Sequence, residues 1–112
     1  MTLQDAQGIV DQWIKEYGVR YFDVLTNTVI LNEEIGEYCR IVARMYGEQS
    51  MKKGQEEYGI NDLSDEMADI LFVLICLANQ TGIDLGEALQ TNLQKKTKRD
   101  RDRHSDNPKL NS

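Results

Sequence analysis

Hydrophobic residues recur along this chain at intervals of three and four positions, the spacing of amphipathic α-helices. The first such segment begins after Thr2, and Asp5 three residues later completes a capping-box pattern. Helical spacing continues up to Gly18, a residue type that commonly ends helices. The pattern therefore predicts a first helix between Thr2 and Gly18.

A second periodic segment predicts a helix from Thr26 to Tyr46, with Thr26 or Asn27 as its N-cap. A short loop over residues 19–25 precedes it. In residues 47–61, three glycines and many polar residues break the periodicity. We expect this part to be a connection with one helical turn between Ser50 and Tyr58.

The most apolar part of the chain is an uninterrupted run over residues 70–78. An amphipathic surface helix does not carry such a run, and a membrane span needs about 20 apolar residues. The segment is therefore predicted to be a central core helix. Asn61 or Asp62 is the expected N-cap, and Gly82 is the expected end.

Asp84 followed by Glu87 forms a second capping-box pattern and predicts a fourth helix. The apolar side of this helix consists of Leu85, Ala88, Leu89 and Leu93. The chain then becomes polar. We expect an all-α fold, a bundle of four to five helices in residues 1–103, followed by a polar flexible tail in residues 104–112.

Length and charge narrow the classes of function. A chain of 112 residues forms one domain with a modest core, so completion of that core by homo-oligomerisation is expected. The net charge of −6 argues against general nucleic-acid binding. No segment predicts a membrane span, and the first residues lack the features of a secretory signal. A cytoplasmic location is the resulting expectation.

The two cysteines, Cys39 and Cys76, stand among apolar neighbours in predicted helices. Their spacing matches neither a zinc motif nor a redox motif. Both are therefore expected to be small buried packing residues in a reducing compartment.

Four carboxylates lie on or against the apolar faces of the second and third predicted helices. At about 100° per residue, Glu34 and Glu37 share an arc with apolar residues, whereas Glu33 falls outside it. Glu66 and Asp69 share one face directly before the apolar run. Carboxylates on a core-facing side are costly to desolvate unless a cation or donor compensates them. The placement predicts a buried site for a positive partner.

Hard oxygen ligands in this number suit Mg²⁺, with Mn²⁺ as a substitute, better than zinc, which prefers histidine and cysteine. Either pair alone is more often a solvated helix face than a metal site. Both pairs on apolar stripes, with no lysine or arginine inside either motif, favour the metal. A di-iron bundle is a poor alternative because such sites use Glu-x-x-His pairs, and the only histidine, His104, lies in the tail.

Two acidic motifs resemble the signature of MazG-like nucleotide pyrophosphohydrolases, Glu-x-x-Glu followed by Glu-x-x-Asp and an apolar helix. They are Glu33-Glu34-Ile35-Gly36-Glu37 and Glu66-Met67-Ala68-Asp69. The stretch from Asn92 to Arg99 also resembles the Asn/Lys/Arg segment that follows the last core helix in such proteins. The resemblance covers residues 1–103, although residues 46–50 differ from the better-known members and leave substrate choice open.

The resemblance implies an all-α, dimeric or tetrameric, magnesium-dependent enzyme that hydrolyses nucleoside triphosphates to the monophosphate and pyrophosphate. The magnesium ligands it implies are Glu34, Glu37, Glu66 and Asp69. Glu34, Glu37 and Glu33 would take part in catalysis, with Glu33 either ordering the attacking water or standing in solvent. The residues it implies for substrate binding are Asn92, Lys95, Lys96 and Arg99.

Several alternatives stay open at this point. A non-catalytic helical oligomer that binds nucleotide or metal as a sensor would keep the same acids. Lys95 and Lys96 are equally explained as a cationic helix end that the helix dipole favours. Trp13, Tyr21 and Phe22 could stack on a nucleobase, although aromatic residues at such places are more often core.

Overall fold

The computed structural model describes residues 1–48, 57–101 and 103–111. Its helices, in chain order, are α1 Leu3–Trp13, a π-helical turn Ile14–Gly18 that continues it, α2 Val24–Tyr46, α3 Ile60–Thr81 and α4 Leu85–Asp100. No strand occurs in these ranges. The all-α expectation is confirmed, while the turn predicted around Ser50 falls mostly outside the described residues.

The first helix begins as predicted. The Thr2 hydroxyl accepts a hydrogen bond from the Asp5 N–H, and the Asp5 carboxylate accepts one from the Thr2 N–H, both at 3.0 Å. After Trp13 the helix widens into the π-helical turn, which the periodicity does not distinguish from α-helix. The turn ends at Val19, whose φ of 69° is strained for a β-branched residue. The chain leaves α1 through this sharp corner.

The predicted N-cap of α2 is wrong. Asp23, not Thr26 or Asn27, caps the helix, because its carboxylate accepts a hydrogen bond from the Thr26 N–H at 2.7 Å. The helix therefore starts at Val24, two residues before the predicted position. Asp23, Thr26 and Asn27 all have side chains that can cap a helix, and the periodicity does not choose among them.

The predicted N-cap of α3 is wrong in the same direction, and its predicted end is right. Gly59 occupies the N-cap in extended backbone, and its N–H donates to the Asp62 carboxylate at 2.8 Å. Asp62 thus supports the first turn from inside the helix rather than capping it. Gly82 ends α3 in the left-handed conformation, with φ 69°.

The core lies mainly between α2 and α3. Most of the buried apolar residues described belong to α3, namely Leu63, Val73, Ile75, Cys76 and Ala78. This burial confirms α3 as the central helix. Cys76 is buried as predicted, whereas the expectation for Cys39 is wrong because that thiol is exposed. At about 100° per residue, Cys39 lies nearly opposite Ile41, the residue by which α2 enters the core.

A polar cluster fastens α1 to the far end of α3. Gln7 Nε2 donates to Asn79 Oδ1 at 3.0 Å and to the Ile83 carbonyl at 2.8 Å. Gln7 Oε1 accepts from the Leu85 N–H at 2.8 Å. This N–H belongs to the first turn of α4, where backbone donors have no acceptor inside the helix. Gln7 therefore fixes where α4 begins.

Helix α4 points away from the α2–α3 pair. Asp84 caps it as predicted, accepting from the Glu87 N–H at 3.0 Å. The directions of α3 and α4 differ by 100°. No residue of α4 is buried, and Leu89 and Leu93 are 49% and 53% exposed. Apart from the partly buried Leu85, the apolar side predicted for this helix is therefore not covered by the residues that the structure describes.

The chain is extended for its length. Its radius of gyration is 18.3 Å, against about 13 Å for a compact chain of this size. Among the described residues, α3 and α4 have the length and composition of a membrane span only as a bent pair, and no single helix has them. The boundary at residues 103 and 104 stays a prediction.

Candidate metal centre

Helices α2 and α3 run antiparallel, and this arrangement brings the two acidic pairs together. Asn27, near the start of α2, donates to Gln80 Oε1, near the end of α3, at 2.9 Å. Further along, Glu34 of α2 lies opposite Glu66 of α3. Each pair was placed on one helix face by its three-residue spacing, and the two faces meet.

Three carboxylates converge at the meeting point. One oxygen each from Glu34, Glu37 and Glu66 lies within 4.8 Å of the other two. Glu34 and Glu66 are partly buried, and Glu37 is exposed. The cluster is therefore open on the Glu37 side and closed toward the core.

Two of the oxygens are buried without a hydrogen bond. They are Oε2 of Glu34 and Oε2 of Glu66. In the described ranges, the acids that form ion pairs are Asp11 and Asp100, and not members of this cluster. Buried carboxylate oxygens are normally paired with a donor or a cation. Among the described residues, neither of these two oxygens has a hydrogen-bond partner.

Crowding of the acids raises the pKa of two of their carboxyl groups. Desolvation, together with the neighbouring Glu34 and Glu37 carboxylates, raises the pKa of Glu66 to about 7. The pKa of Asp69 is raised as well, first by desolvation and then by the charges of Asp65 and Glu37. Both shifts show that negative charge at this place costs free energy unless a cation balances it.

A divalent cation fits this donor set. Carboxylate oxygens alone, in a cluster with one solvent-facing side, suit a hard ion that keeps some of its water. No histidine or cysteine belongs to the group, which argues against zinc. The residues therefore have the chemistry of a site for a hard divalent cation, held by α2 on one side and α3 on the other.

Comparison with known proteins decides the family. Residues 22–104 match the family model described as the MazG nucleotide pyrophosphohydrolase domain. This range covers most of the chain and contains both acidic motifs. The chain belongs to the MazG family.

Similar proteins agree with this assignment. YpjD of Bacillus subtilis strain 168, an uncharacterized protein, is 38% identical over 102 residues, covering 91% of this chain and 89% of YpjD. The crystal structure of B. subtilis YpjD, proposed to be a pyrophosphatase, has a TM-score of 0.73 at 37% identity, covering 85% of this chain and 94% of that one. A Bacillus MazG protein described as a nucleotide pyrophosphohydrolase has a TM-score of 0.71 at 35% identity, covering 85% and 88%. This MazG chain is therefore a hydrolase of the pyrophosphatase type.

Two predicted acidic residues lie outside the three-carboxylate group. Asp69 is partly buried one turn beyond Glu66, close enough to Glu37 to feel its charge. Its role as the fourth ligand stays a prediction. Glu33 is exposed on α2, so its part in catalysis also stays a prediction.

The predicted substrate-binding residues are far from the acids in this chain. The residues Asn92, Lys95, Lys96 and Arg99 are all exposed on α4. At about 1.5 Å of rise per residue, the end of α3 lies roughly 20 Å from Glu66, and α4 then turns aside. Arg99 is paired with Asp100 at 2.7 Å. In the described structure, one chain thus does not bring these four residues to its own acidic cluster.

One polar residue near the site escaped the sequence analysis. Asn27 was considered only as a helix cap, yet it is a buried polar residue with 6% exposure. Its amide nitrogen donates to Gln80 Oε1 and to the Phe22 carbonyl. The signal was present, since Asn27 precedes Glu34 by seven residues and therefore shares its helix face.

Proposed function

We propose that this MazG protein is a magnesium-dependent hydrolase of nucleoside or deoxynucleoside triphosphates, cleaving between the α- and β-phosphates. Water oxygen forms a bond to the α-phosphorus, and the bond from that phosphorus to the α,β-bridging oxygen breaks. The products are the nucleoside monophosphate and pyrophosphate. The observation that carries the proposal is the convergence of Glu34, Glu37 and Glu66, with two buried oxygens left unpaired.

In this proposal, Glu34, Glu37 and Glu66 hold the ion from two helices, and Asp69 completes the set from the next turn of α3. Mg²⁺, or Mn²⁺ in its place, would neutralise polyphosphate charge and lower the cost of charge that develops on the α-phosphate. The two-helix arrangement fixes the oxygens before substrate arrives, so little reorganisation is needed.

The attacking water needs a group that orients it and receives its proton. Glu37 stands on the open side of the cluster, and Glu33, one residue before Glu34, is exposed on the same helix. Glu33, Glu34 and Glu37 are therefore the residues we propose for this work. Their carboxylates are acceptors, which is the property that orienting and deprotonating a water requires.

We further propose that the working enzyme is a homodimer or homotetramer. Exposed leucines on α4 and the large radius of gyration both suit a chain that packs against copies of itself. In such an assembly α4 of one copy could bring Asn92, Lys95, Lys96 and Arg99 to a triphosphate held by another copy. A cytoplasmic location goes with this proposal.

The test is direct incubation with triphosphates. Purified protein, Mg²⁺ and each common NTP or dNTP are combined, and both pyrophosphate and nucleoside monophosphate are measured. We expect equal amounts of the two products and loss of turnover when EDTA removes the ion. Binding of Mg²⁺ and nucleotide without either product would instead support a sensor. Release of orthophosphate in place of pyrophosphate would contradict the proposed bond.

A further inference from the structure

A small aromatic cavity lies beside the metal centre. Its volume is about 220 Å³, and it opens between the end of α1, the loop before α2, and the two acid-bearing helices. Four aromatic side chains line it, namely Trp13, Tyr21, Phe22 and Phe72. Trp13 and Phe72 meet edge to face with 5.7 Å between ring centroids. The cavity is therefore apolar over most of its surface.

The cavity and the acidic cluster are adjacent along both helices. Ile30 lines the cavity and precedes Glu34 by four residues on α2. Phe72 lines it and follows Asp69 by three residues on α3. Each step is close to one helical turn, about 5.4 Å along the axis, and Glu66 of the three-carboxylate group lies one further turn from Phe72. A ligand could therefore occupy the cavity and reach the carboxylates with one short linking group.

Asn27 and Arg20 add polar groups to this mostly apolar lining, and Arg20 donates to the Tyr21 carbonyl at 2.8 Å. Asn27 lines the cavity and is only 6% exposed. Both hydrogens of its amide nitrogen are used, one toward Gln80 Oε1 at 2.9 Å and one toward the Phe22 carbonyl at 3.3 Å. No donor to Asn27 Oδ1 is present in the part of the chain that the structure describes. This oxygen is left as a fixed acceptor for a ligand donor.

We propose that this cavity binds the nucleobase of the substrate, with a base N–H donating to Asn27 Oδ1 and the ring packed against Trp13 and Phe72. The inference rests on the proposed function, because it assigns the base end of the same nucleotide. A volume below that of typical drug-sized pockets suits a base but not a whole nucleotide. The sugar then spans the one to two turns to the acids and leaves the phosphates at the metal centre.

The arrangement defines the class of ligand. The aromatic walls bind any flat heterocycle, while the single acceptor selects one with an N–H on the edge that enters the cavity. Bases with an amino group or a ring N–H satisfy it, and a bare polyphosphate makes no use of it. Recognition of the base is therefore separable from recognition of the phosphates.

The first test substitutes Asn27→Leu, with Asn32→Leu as the control on the exposed side of the same helix. The KM for the preferred triphosphate is measured together with inhibition by inorganic tripolyphosphate, which has no base. We expect KM to rise about tenfold for Asn27→Leu, as for loss of one buried hydrogen bond, with tripolyphosphate inhibition unchanged. The control should match the wild type. A folded Asn27→Leu protein with an unchanged KM would overturn the assignment.

The second test needs neither turnover nor a variant. Trp13 is the only tryptophan of the chain and lines the cavity, so its fluorescence reports on the site. Wild-type protein in EDTA is titrated with the nucleoside of the preferred base up to concentrations on the order of millimolar. We expect a saturable change that ribose does not produce. Absence of any change would overturn the inference. A saturable change without triphosphate turnover would support the cavity and count against the proposed hydrolase.

Discussion

The α2–α3 pair and helix α4 each have an apolar face, but these faces differ in how far they are buried. In the pair, the patterned faces meet, and oxygens of Glu34 and Glu66 become buried. In α4, Leu89 and Leu93 stay about half exposed at 49% and 53%. Periodicity states which face of a helix is able to be buried, but a second surface is required to bury it. The described part of one chain supplies that surface for α2 and α3, but not for Leu89 and Leu93 of α4.

The two regions also differ in the sign of their charge. The pair gathers carboxylates, and the second half of α4 gathers lysines and arginines. A triphosphate site needs both, the acids to hold a cation and the bases to bind phosphate oxygens. The acidic half is assembled within one chain, whereas the basic half is presented outward. The contrast predicts that variants of the two regions fail in different ways.

The largest effect is expected when a carboxylate of the pair is neutralised. Glu34→Gln or Asp69→Asn should lower magnesium-dependent turnover by at least about a hundredfold, since each ligand contributes several kcal/mol of charge stabilisation. The metal-free variants should melt at or above the wild-type temperature, because a repelling charge is gone. Pyrophosphate release and thermal unfolding measure the two effects.

Glu16→Gln is the matched control, since Glu16 is an exposed glutamate on the turn after α1. It should retain wild-type turnover. Full activity in Glu34→Gln would contradict the ligand assignment as a whole. Full activity in Asp69→Asn alone would leave the three-carboxylate group and remove only the fourth ligand.

A charge on the exposed side of α4 should separate the copies. Leu93→Asp is expected to shift the protein to a smaller species in sedimentation at concentrations where the wild type is assembled, because it places a carboxylate in an apolar contact. Turnover should fall by about tenfold or more if bases from a second copy are needed. Leu110→Asp, which changes an exposed leucine of the tail, is the control. A wild-type chain that sediments as a monomer while fully active would contradict the need for bases from a second copy.

Removal of one base of α4 should affect substrate affinity more than rate. Lys96→Ala is expected to raise KM about tenfold with a small change in kcat, as for loss of one charge-assisted hydrogen bond to a phosphate. Steady-state kinetics measure both constants. Lys98→Ala serves as the control, because Lys98 is an equally exposed lysine two residues on. An unchanged KM for Lys96→Ala would favour its role as a simple cationic helix end.

The smallest effect is a dependence of stability on pH in the metal-free protein. The pKa of Glu66 is raised from 4.5 to about 7, so the folded chain holds a proton that the unfolded chain has lost. Its contribution is present below pH 4.5 and is lost as pH rises toward about 7. The melting temperature should fall by a few degrees across this window. Glu66→Gln should flatten the profile, and an unchanged slope in that variant would show that other groups cause it.

Much of the fold follows from the sequence alone, for physical reasons that are local. The Thr2 capping box and the end of α3 at Gly82 depend on contacts within one turn of chain, and both were predicted. The N-cap of α2 was misplaced because neighbouring polar residues compete for the position, and that of α3 because Gly59 caps the helix without a side chain. Cys39 was misassigned because the apolar character of its sequence neighbours was used, whereas its own position is nearly opposite the buried Ile41.

The candidate site divides in the same manner. The meeting of Glu34, Glu37 and Glu66 was predictable, since their spacing fixes a face and only one pairing of helices buries both faces. Asn27 was missed because its polar side chain suggests a cap, and only the packing of α3 makes it a buried acceptor. The position of the α4 bases was not predictable, because their angle depends on a corner at Gly82 and on α1.

The Gln7 contacts give α1 an influence that its distance from both motifs conceals. Gln7 accepts from the first backbone N–H of α4 and donates to the Ile83 carbonyl. Together these two contacts set the direction of α4 at its start. A small rotation there is magnified over the 16 residues that follow and sweeps the lysines at the other end through a wide arc. Residue 7 thus controls the position of side chains near residue 100.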